Sequence, residues 1–514
     1  MKPPVPLQPD VAAEYKARPC NRFRRAATIL SRGVLFLALV YLVLLIPEPR
    51  PSDSPGAGKQ PFVWKQDHFW SELETQFIQA RAEGCPNLRD RIDTGLAATQ
   101  RLLGQCSEIV LAPDDPIFLN LETGLFRLAP LVAVCPQRLN DYIALATRAR
   151  SEAKIQSLHW DLNAPSPRQR LYRLLFGTRM ALEEVMLQAP SSVEVPENIT
   201  GTTTASSAPS VRLLGIDLHS GDILVSRGGA PTSALIARGN DYPGSFSHVA
   251  LVHVDEKSSR ASVIEAHIER GVAVSSLEQY LADKKLRIVV LRLRPDLPEL
   301  IADPMLPHRA AALAMSKATS RHIPYDFAMD YHDHSAQFCS EVVSAAYEPT
   351  GIRLWKGMSF LSSPAVTSWL GSLGVKHFET QEPADLEYDS QLCLVAEWRD
   401  RSTLFKAHVD DAVTDVMLEE AKPGESLPYQ LPLLPVTRLA KAYSWTLNLF
   451  GRVGPVPEGM SATTALRVKR FRNDHAVRVK RVLGQAEEFK ERKGYTPPFW
   501  ELIRMAREAK PKQV

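Results

Sequence analysis

Three patterns of hydrophobic and polar residues follow one another along this chain, and each predicts a different kind of structure. An uncharged apolar run, GVLFLALVYLVLLI, covers residues 33–46. From residue 62 to about 187, apolar residues recur three and four positions apart, which is typical of amphipathic helices. From about 211 to 399 the chain changes to short β-rich runs such as DILVS and GVAVS, separated by glycines and charged turns. We therefore predict an apolar N-terminal helix, a helical domain and an α+β domain, in this order.

Segments rich in proline, serine, glycine or threonine mark the boundaries between these units. One linker spans residues 48–61 and a second spans residues 190–210. A length of 514 residues favours about three domains. The predicted units are a tail (1–27), an apolar segment (28–47), a helical domain (62–189), an α+β domain (211–399) and a mostly helical C-terminal region (400–514).

The apolar segment predicts a membrane anchor. Residues 28–47 reach the length of a spanning helix if the charge of Arg32 extends to the membrane surface. No small-residue cleavage site follows directly, so we expect the segment to be retained rather than removed as a signal peptide. Arginines precede it, which predicts a cytoplasmic N-terminal tail and a periplasmic location for the rest of the chain. A buried hydrophobic helix is the alternative interpretation.

Composition limits the classes of partner and the redox chemistry. The formal net charge of +3 gives no global field that would favour nucleic acid, so no specific nucleic-acid binding is predicted. The basic run from Arg467 to Arg481 predicts either contact with anionic lipid or another polyanion, or a solvated helix face. One disulfide is expected among Cys85, Cys106 and Cys135, but the sequence does not select the pair.

Cys339 is the candidate nucleophile. It opens a predicted helix, CSEVVSAAY, and the unpaired backbone amides of a first turn favour a thiolate and can hold an oxyanion. The polar neighbours Ser340 and Glu341 predict that the thiol is exposed. A buried structural cysteine is the alternative.

His248 and Glu265 are the candidates for a general base and for the carboxylate that orients it. His248 opens the strand HVALVHV, and five residues separate it from His253, so the two rings face opposite sides of a regular strand. We assign the base to His248, because His253 shares its face with apolar residues. Glu265 lies in the next run, VIEAH, where a hairpin would set its carboxylate against the imidazole, with His267 as the second candidate for this role. A histidine satisfied at a strand end and a solvated carboxylate are the alternatives.

Five ordered blocks carry a resemblance to a known family. GDILVS, SHVALV, EAH with RGV, PYDF and FCSEVV resemble successive blocks of the circularly permuted papain-like amidases, the YiiX-type branch of the NlpC superfamily. The resemblance implies a small β-barrel packed on helices, which hydrolyses an amide or related acyl bond. It also implies that Cys339 is the nucleophile, His248 the base and Glu265 the third polar residue. Supporting residues in the same blocks are Tyr325, Asp222 and Ser340.

Two further segments lie near these blocks. The cluster DYHDH at residues 330–334 contains metal-ligand types, but adjacent ligands in one loop rarely complete a tetrahedral site. We therefore predict a polar loop at the rim of the cleft, and neither a metal nor another cofactor. The insertion of residues 227–246, which contains two arginines, predicts a substrate loop or an inert excursion.

Together these features predict a membrane-anchored, periplasmic cysteine hydrolase of α+β class. The favoured substrates are peptide amide bonds, with the stem peptides of peptidoglycan as the example that the resemblance and the location suggest. A lipid acyl hydrolase or acyltransferase on the same fold is one alternative. A non-catalytic scaffold with a vestigial papain-like module is the other.

Overall fold

The structure is a computed structural model that describes residues 21–48, 56–201 and 204–510. Residues 1–20 of the predicted tail and residues 49–55 of the first linker lie outside the described residues. The first helix, α1, spans Asn21–Leu44 and includes most of the apolar run. In these three ranges, no helix combines the length and the hydropathy needed to cross a bilayer. The anchor predicted over residues 28–47 gains no support from this finding.

The helical domain is formed by amphipathic helices whose apolar faces share one core. These helices are α2 (Asp67–Glu83), α3 (Cys85–Glu108), α4 (Pro116–Val132), α5 (Leu139–Gln156), α6 (Pro165–Tyr172) and α7 (Thr178–Gln188). Leu88, Leu125 and Tyr142 are among its fully buried residues. A disulfide joins Cys85 to Cys135, whereas Cys106 is a free, buried cysteine. The structure thereby selects the pair that the sequence left open.

The α+β domain contains short strands connected by turns and helices. Its strands are β1 (Asn198–Thr200), β2 (Ser210–Leu213), β3 (Ile216–His219), β4 (Ile223–Gly228), β5 (His248–Val254), β6 (Ala261–His267), β7 (Gly271–Ser276), β8 (Lys285–Leu293), β9 (Ser359–Phe360), β10 (Glu379–Thr380) and β11 (Leu392–Trp398). Its helices are α8 (Pro231–Arg238), α9 (Leu277–Ala282), α10 (Pro298–Ala302), α11 (Leu306–Ser320), α12 (Cys339–Tyr347) and α13 (Pro364–Ser372). The C-terminal region continues with α14 (Arg401–Glu420), α15 (Leu434–Asn448), α16 (Ala462–Lys493) and α17 (Phe499–Glu508).

The main sheet is open, and this corrects the expected β-barrel. Its strand order is β1-β11-β8-β4-β5-β6-β7, and every neighbouring pair is antiparallel. Closure needs the two outer strands to pair, but β1 and β7 lie at opposite edges of the sheet. The strand β1 also comes from residues 190–210, which the sequence predicts to be a linker. A three-residue run such as Asn198–Thr200 is too short to stand out from linker composition.

Alternation along the strands gives the sheet two apolar faces. Val225 and Leu251 point to one face, where they pack against Val343 and Tyr347 of α12 and against α11. The neighbouring residue Leu224 points to the other face, which has a smaller core. The sheet therefore carries α12, and with it Cys339, on one side.

Buried ion pairs join the helical domain, the sheet and the C-terminal region. Glu183 of α7 accepts hydrogen bonds from Arg287 of β8 at 2.6 Å and from Arg399 at 3.0 Å. Its second carboxylate oxygen lies 2.9 Å from Nε2 of His408 in α14. Arg150 of α5 pairs in the same way with Glu397 of β11. Because all these groups are buried, the three units pack against one another as one structure rather than as independent domains joined by linkers.

Candidate active site

Cys339 lies at the first residue of α12, as the sequence predicts, but its thiol is buried rather than exposed. Only 6% of Cys339 is accessible, and Ser340 and Glu341 are fully buried. Their polar side chains do not face water, because α12 is packed between the sheet and the loop that precedes it. The carboxylate of Glu341 accepts a hydrogen bond from the N–H of Phe338 at 3.0 Å and contacts His334 at 3.1 Å. Polar neighbours in the sequence are therefore a poor guide to exposure at this helix start.

Burial also decides the state of the thiol. It raises the pKa of Cys339 to about 12, although the backbone N–H of Val249 lies against the sulfur and lowers the pKa in part. The negative charge of Glu382 adds to the increase. The amides of the first turn do not outweigh desolvation, so the resting group is a neutral thiol that needs a base.

The pH dependence of alkylation tests this state of the thiol. Only the deprotonated thiol reacts with iodoacetamide, and a raised pKa means that its fraction keeps growing well into the alkaline range. We expect the alkylation rate of Cys339, followed by peptide mass spectrometry, to keep rising above pH of about 8.5, where a free cysteine is half deprotonated. A rate that levels off below that pH would contradict the neutral resting thiol.

His248 and Glu265 lie together, on the neighbouring strands β5 and β6. Nε2 of His248 lies 2.7 Å from a carboxylate oxygen of Glu265. The other oxygen lies 3.2 Å from Nε2 of His267 and accepts a hydrogen bond from the Ser275 hydroxyl at 3.2 Å. Burial alone would raise the pKa of Glu265, but the hydrogen bonds and charges of the two histidines outweigh it and hold the pKa well below its usual range. Glu265 is therefore an ionised acceptor shared by two imidazoles.

Tyr325 lies beside the thiol because the backbone around it is fixed from two sides. The N–H of Val272 donates to the carbonyl of Ile323 at 2.9 Å, and the N–H of Gln337 donates to the carbonyl of Pro324 at 2.9 Å. The close approach of Ile323 requires Gly271, whose φ is +71° and where a Cβ would lie 2.0 Å from that carbonyl oxygen. Burial, and to a lesser extent the charge of Cys339, raises the pKa of Tyr325 far above its usual range, so its hydroxyl remains a donor.

One cavity of about 930 Å³ contains Cys339, His248, Glu265, His267 and Tyr325 in its wall. The structure thus brings together five of the residues that the sequence singled out. His253 lies elsewhere, with its ring stacked on His308 at a centroid distance of 5.6 Å.

Asp222 and Ser340 have other surroundings. Asp222 lies at the opposite end of β4 from the cavity and forms a buried bidentate pair with Arg292, at 2.7 and 2.8 Å. Ser340 is fully buried next to Cys339, and a hydrogen bond from its side chain lowers the pKa of the Cys339 thiol in part. Asp222 therefore lies in a structural position, whereas the supporting role of Ser340 beside the thiol stays a prediction.

The structure also gives the surroundings of the DYHDH loop and of the insertion. His334 contacts the buried Glu341, and the part of the chain that the structure describes contains no group of three or more His, Cys, Asp or Glu residues that could hold a metal. The insertion forms α8, and its residues Thr232, Ser233 and Ile236 line the cavity, whereas its two arginines pair with carboxylates of α14. Arg227 of β4 pairs with Asp411 at 2.7 Å, and Arg238 of α8 pairs with Asp415 at 2.7 and 2.9 Å, so the two arginines hold the sheet and α8 to α14.

Several groups near the cavity were missed by the sequence analysis. Burial raises the pKa of Glu382 to about 8, and its charge acts on both Cys339 and Tyr325, so this carboxyl lies close to the site. No pattern in the sequence marks it. Arg472 of α16 also lines the cavity. Its basic run was noticed, but the direction in which one of its side chains points depends on packing.

The family comparison agrees with this geometry. Residues 217–396 match the model of a family described as "Permuted papain-like amidase enzyme, YaeF/YiiX, C92 family". This part of the chain is similar to the permuted papain-like amidases, and we call it the amidase domain. The amidase domain is thus a thiol-dependent hydrolase unit, and the match begins in β3 and ends in β11. No curated protein sequence matches the chain.

Proposed function

We propose that the amidase domain cleaves amide bonds with Cys339 as the nucleophile, His248 as the general base and Glu265 as the residue that orients the base. The supporting observation is the position of the thiol. The sulfur of Cys339 lies against the N–H of Val249, the residue that follows His248 in β5, and both side chains line one cavity. A nucleophile next to a base that is itself held by a carboxylate is the arrangement that thiol catalysis needs.

The hydrogen bond between Nε2 of His248 and Glu265 leaves Nδ1 to take the thiol proton. As the sulfur–carbon bond forms, the amides of the first turn of α12 and the Tyr325 hydroxyl stabilise the negative carbonyl oxygen. The imidazolium then gives its proton to the leaving amine, and the carbon–nitrogen bond breaks. Water hydrolyses the thioester, which releases a carboxylic acid and restores the thiol.

Peptides of the cell wall, such as the stem peptides of peptidoglycan, are the proposed substrates. The description of the family as amidases supports an amide over an ester. The test is incubation with soluble peptidoglycan fragments and, separately, with phospholipid vesicles, for the wild type and the Cys339→Ser variant discussed below. New primary amines from the fragments are expected. Release of fatty acid alone would instead favour a lipid acyl hydrolase, and no product from either would favour a scaffold.

We also propose that α1 anchors the protein in the membrane, with the amidase domain in the periplasm. Apolar side chains of α1 are more than half exposed, and such a surface is unfavourable in water. They include Ile29, Leu30, Val34, Leu35, Phe36 and Leu37. The end of α1 is held to α15 by Arg438, which donates to the carbonyls of Leu44 and Ile46. The Cys85–Cys135 disulfide fits an oxidising compartment.

Removal of residues 1–47 tests the anchor. The full chain is expected to stay in the membrane pellet after extraction with alkaline carbonate, because its exposed apolar surface is buried in lipid. A variant that begins at residue 48 lacks this surface and is expected in the supernatant. If the full chain is extracted as completely as the variant, the anchor proposal is wrong.

A further inference from the structure

The mouth of the active-site cavity is lined by cations from three different parts of the fold. Arg270 lies in the turn between β6 and β7, Lys284 lies just before β8, and Arg472 comes from α16 in the C-terminal region. All three are exposed. We call these residues the cationic rim.

The charge of the cationic rim is not neutralised by the protein. Within residues 21–48, 56–201 and 204–510, no ion pair joins Arg270, Lys284 or Arg472 to a carboxylate. The other charges in the wall are mostly engaged: Lys285 pairs with Asp283 at 2.6 Å, and the carboxylate of Glu265 is shared by two histidines. Glu269 is the remaining acidic group in the wall, so the mouth keeps an excess of positive charge. Charge of one sign at the mouth of a cleft attracts an oppositely charged ligand.

Arg472 differs from its neighbours in the basic run of α16. Arg470 pairs with Asp474 at 2.9 Å, and Arg478 pairs with Glu420 at 2.7 Å. The guanidinium of Arg472 instead extends towards α8 and lies 3.5 Å from the hydroxyl of Thr232, which also lines the cavity. The basic run is therefore not one uniform surface, and its Arg472 is directed at the active site from outside the matched segment of residues 217–396.

We propose that the cationic rim binds a carboxylate of the substrate, so that the amidase domain selects acyl amides with an acidic group near the bond that is cleaved. This inference rests on the proposed function. A guanidinium presents paired N–H donors that match the two oxygens of a carboxylate, and Arg270 and Arg472 both offer this geometry. The C-terminal region thereby contributes a specificity-determining residue, Arg472, to a site whose reacting groups lie in the amidase domain.

Two alkylating reagents of nearly equal size test the inference without knowledge of the natural substrate. Iodoacetate carries a carboxylate and iodoacetamide is neutral, and both reach the thiol of Cys339 through the cavity mouth. We compare the alkylation rate of Cys339 by iodoacetate divided by its rate with iodoacetamide. This ratio is expected to fall about two- to fivefold in Arg472→Gln, which is the size of effect that an exposed charge pair produces. The matched control is Arg470→Gln, on the same helix but outside the cavity wall, which should leave the ratio unchanged. Added salt should lower the ratio of the wild type.

The outcomes separate the inference from the proposed function on which it rests. If the wild type and Arg472→Gln give equal ratios while iodoacetamide still alkylates Cys339, the inferred binding of a carboxylate by the cationic rim is wrong, but the proposed function is not affected. Failure of iodoacetamide to label Cys339 at any pH would overturn both. A further arm measures protection of the thiol: glutarate should slow labelling by iodoacetamide in the wild type and less so in Arg472→Gln. Protection by inorganic phosphate and not by glutarate would contradict the proposal that the cationic rim binds a carboxylate, and would indicate a phosphate-bearing substrate such as a lipid.

Discussion

Replacement of Cys339 by serine is expected to lower kcat/KM for an amide substrate by about 10⁴-fold or more. Serine preserves the size of the side chain, but its hydroxyl is a much weaker acid and nucleophile than a thiol, so His248 cannot activate it to the same degree. The structure also makes the base indispensable, because burial raises the pKa of the thiol to about 12. The measurement is the rate of amine release from the peptide fragments that the wild type cleaves.

Cys393→Ser provides the matched control for this substitution. Cys393 is also a free cysteine, but it lies on β11, outside the cavity wall. Its replacement should leave kcat/KM within about twofold of the wild type, since surface and peripheral substitutions usually have small effects. Thermal unfolding should show that both variants are folded. Activity that survives in folded Cys339→Ser would exclude the proposed nucleophile.

Glu183→Gln is expected to lower the free energy of unfolding by about 3–5 kcal/mol, the largest stability change that we predict for a single substitution. Glutamine keeps the shape of the side chain but removes the negative charge that Arg287 and Arg399 share. These two guanidinium groups are buried, so they would be left with uncompensated charge. The two buried positive charges repel each other and lack a counter-charge in the low-dielectric interior. This cost, rather than the loss of one hydrogen bond, accounts for the size of the expected destabilisation.

Glu72→Gln is the control for the Glu183 variant. Glu72 also pairs with a cation, Arg127 at 3.4 Å, but both side chains are about half exposed. Its loss should change the free energy of unfolding by less than about 1 kcal/mol, because water screens the pair. Denaturation by urea, followed by circular dichroism, measures both variants. Equal destabilisation of the two would show that the buried network does not hold the helical domain to the sheet.

The candidate site could be predicted from the sequence where its chemistry follows local order along the chain. His248 and Glu265 lie on strands joined by a short hairpin, and the pairing of β5 with β6 places their side chains together. Cys339 was recognisable from its place at a helix start. Exposure of the thiol was not predictable in this way, since it depends on α11, the sheet and the loop at Glu382, which approach from distant positions.

The sequence predicted the individual helices and strands but not how the strands pair. The helical periodicity of residues 62–187 and the strand runs of residues 211–399 appear in the structure as helices and strands. Neither the short strand β1 nor the open edges of the sheet could be predicted, because strand pairing joins residues far apart, such as Ile199 and Glu397. A pattern within a strand shows which face is apolar, but not which strand lies next to it.

The sequence by itself determined the order of the elements, the types of the reacting groups and the family blocks. Each of these depends only on residues that lie close together along the chain. Tertiary structure alone decided the Cys85–Cys135 pair, the burial of Cys339 and the position of Arg472 at the cavity. It also decided how the three units are joined, since Glu183 meets Arg287 and His408 across separations of 104 and 225 residues. Desolvation and charge pairing depend on what surrounds a group in space, and no local pattern contains that information.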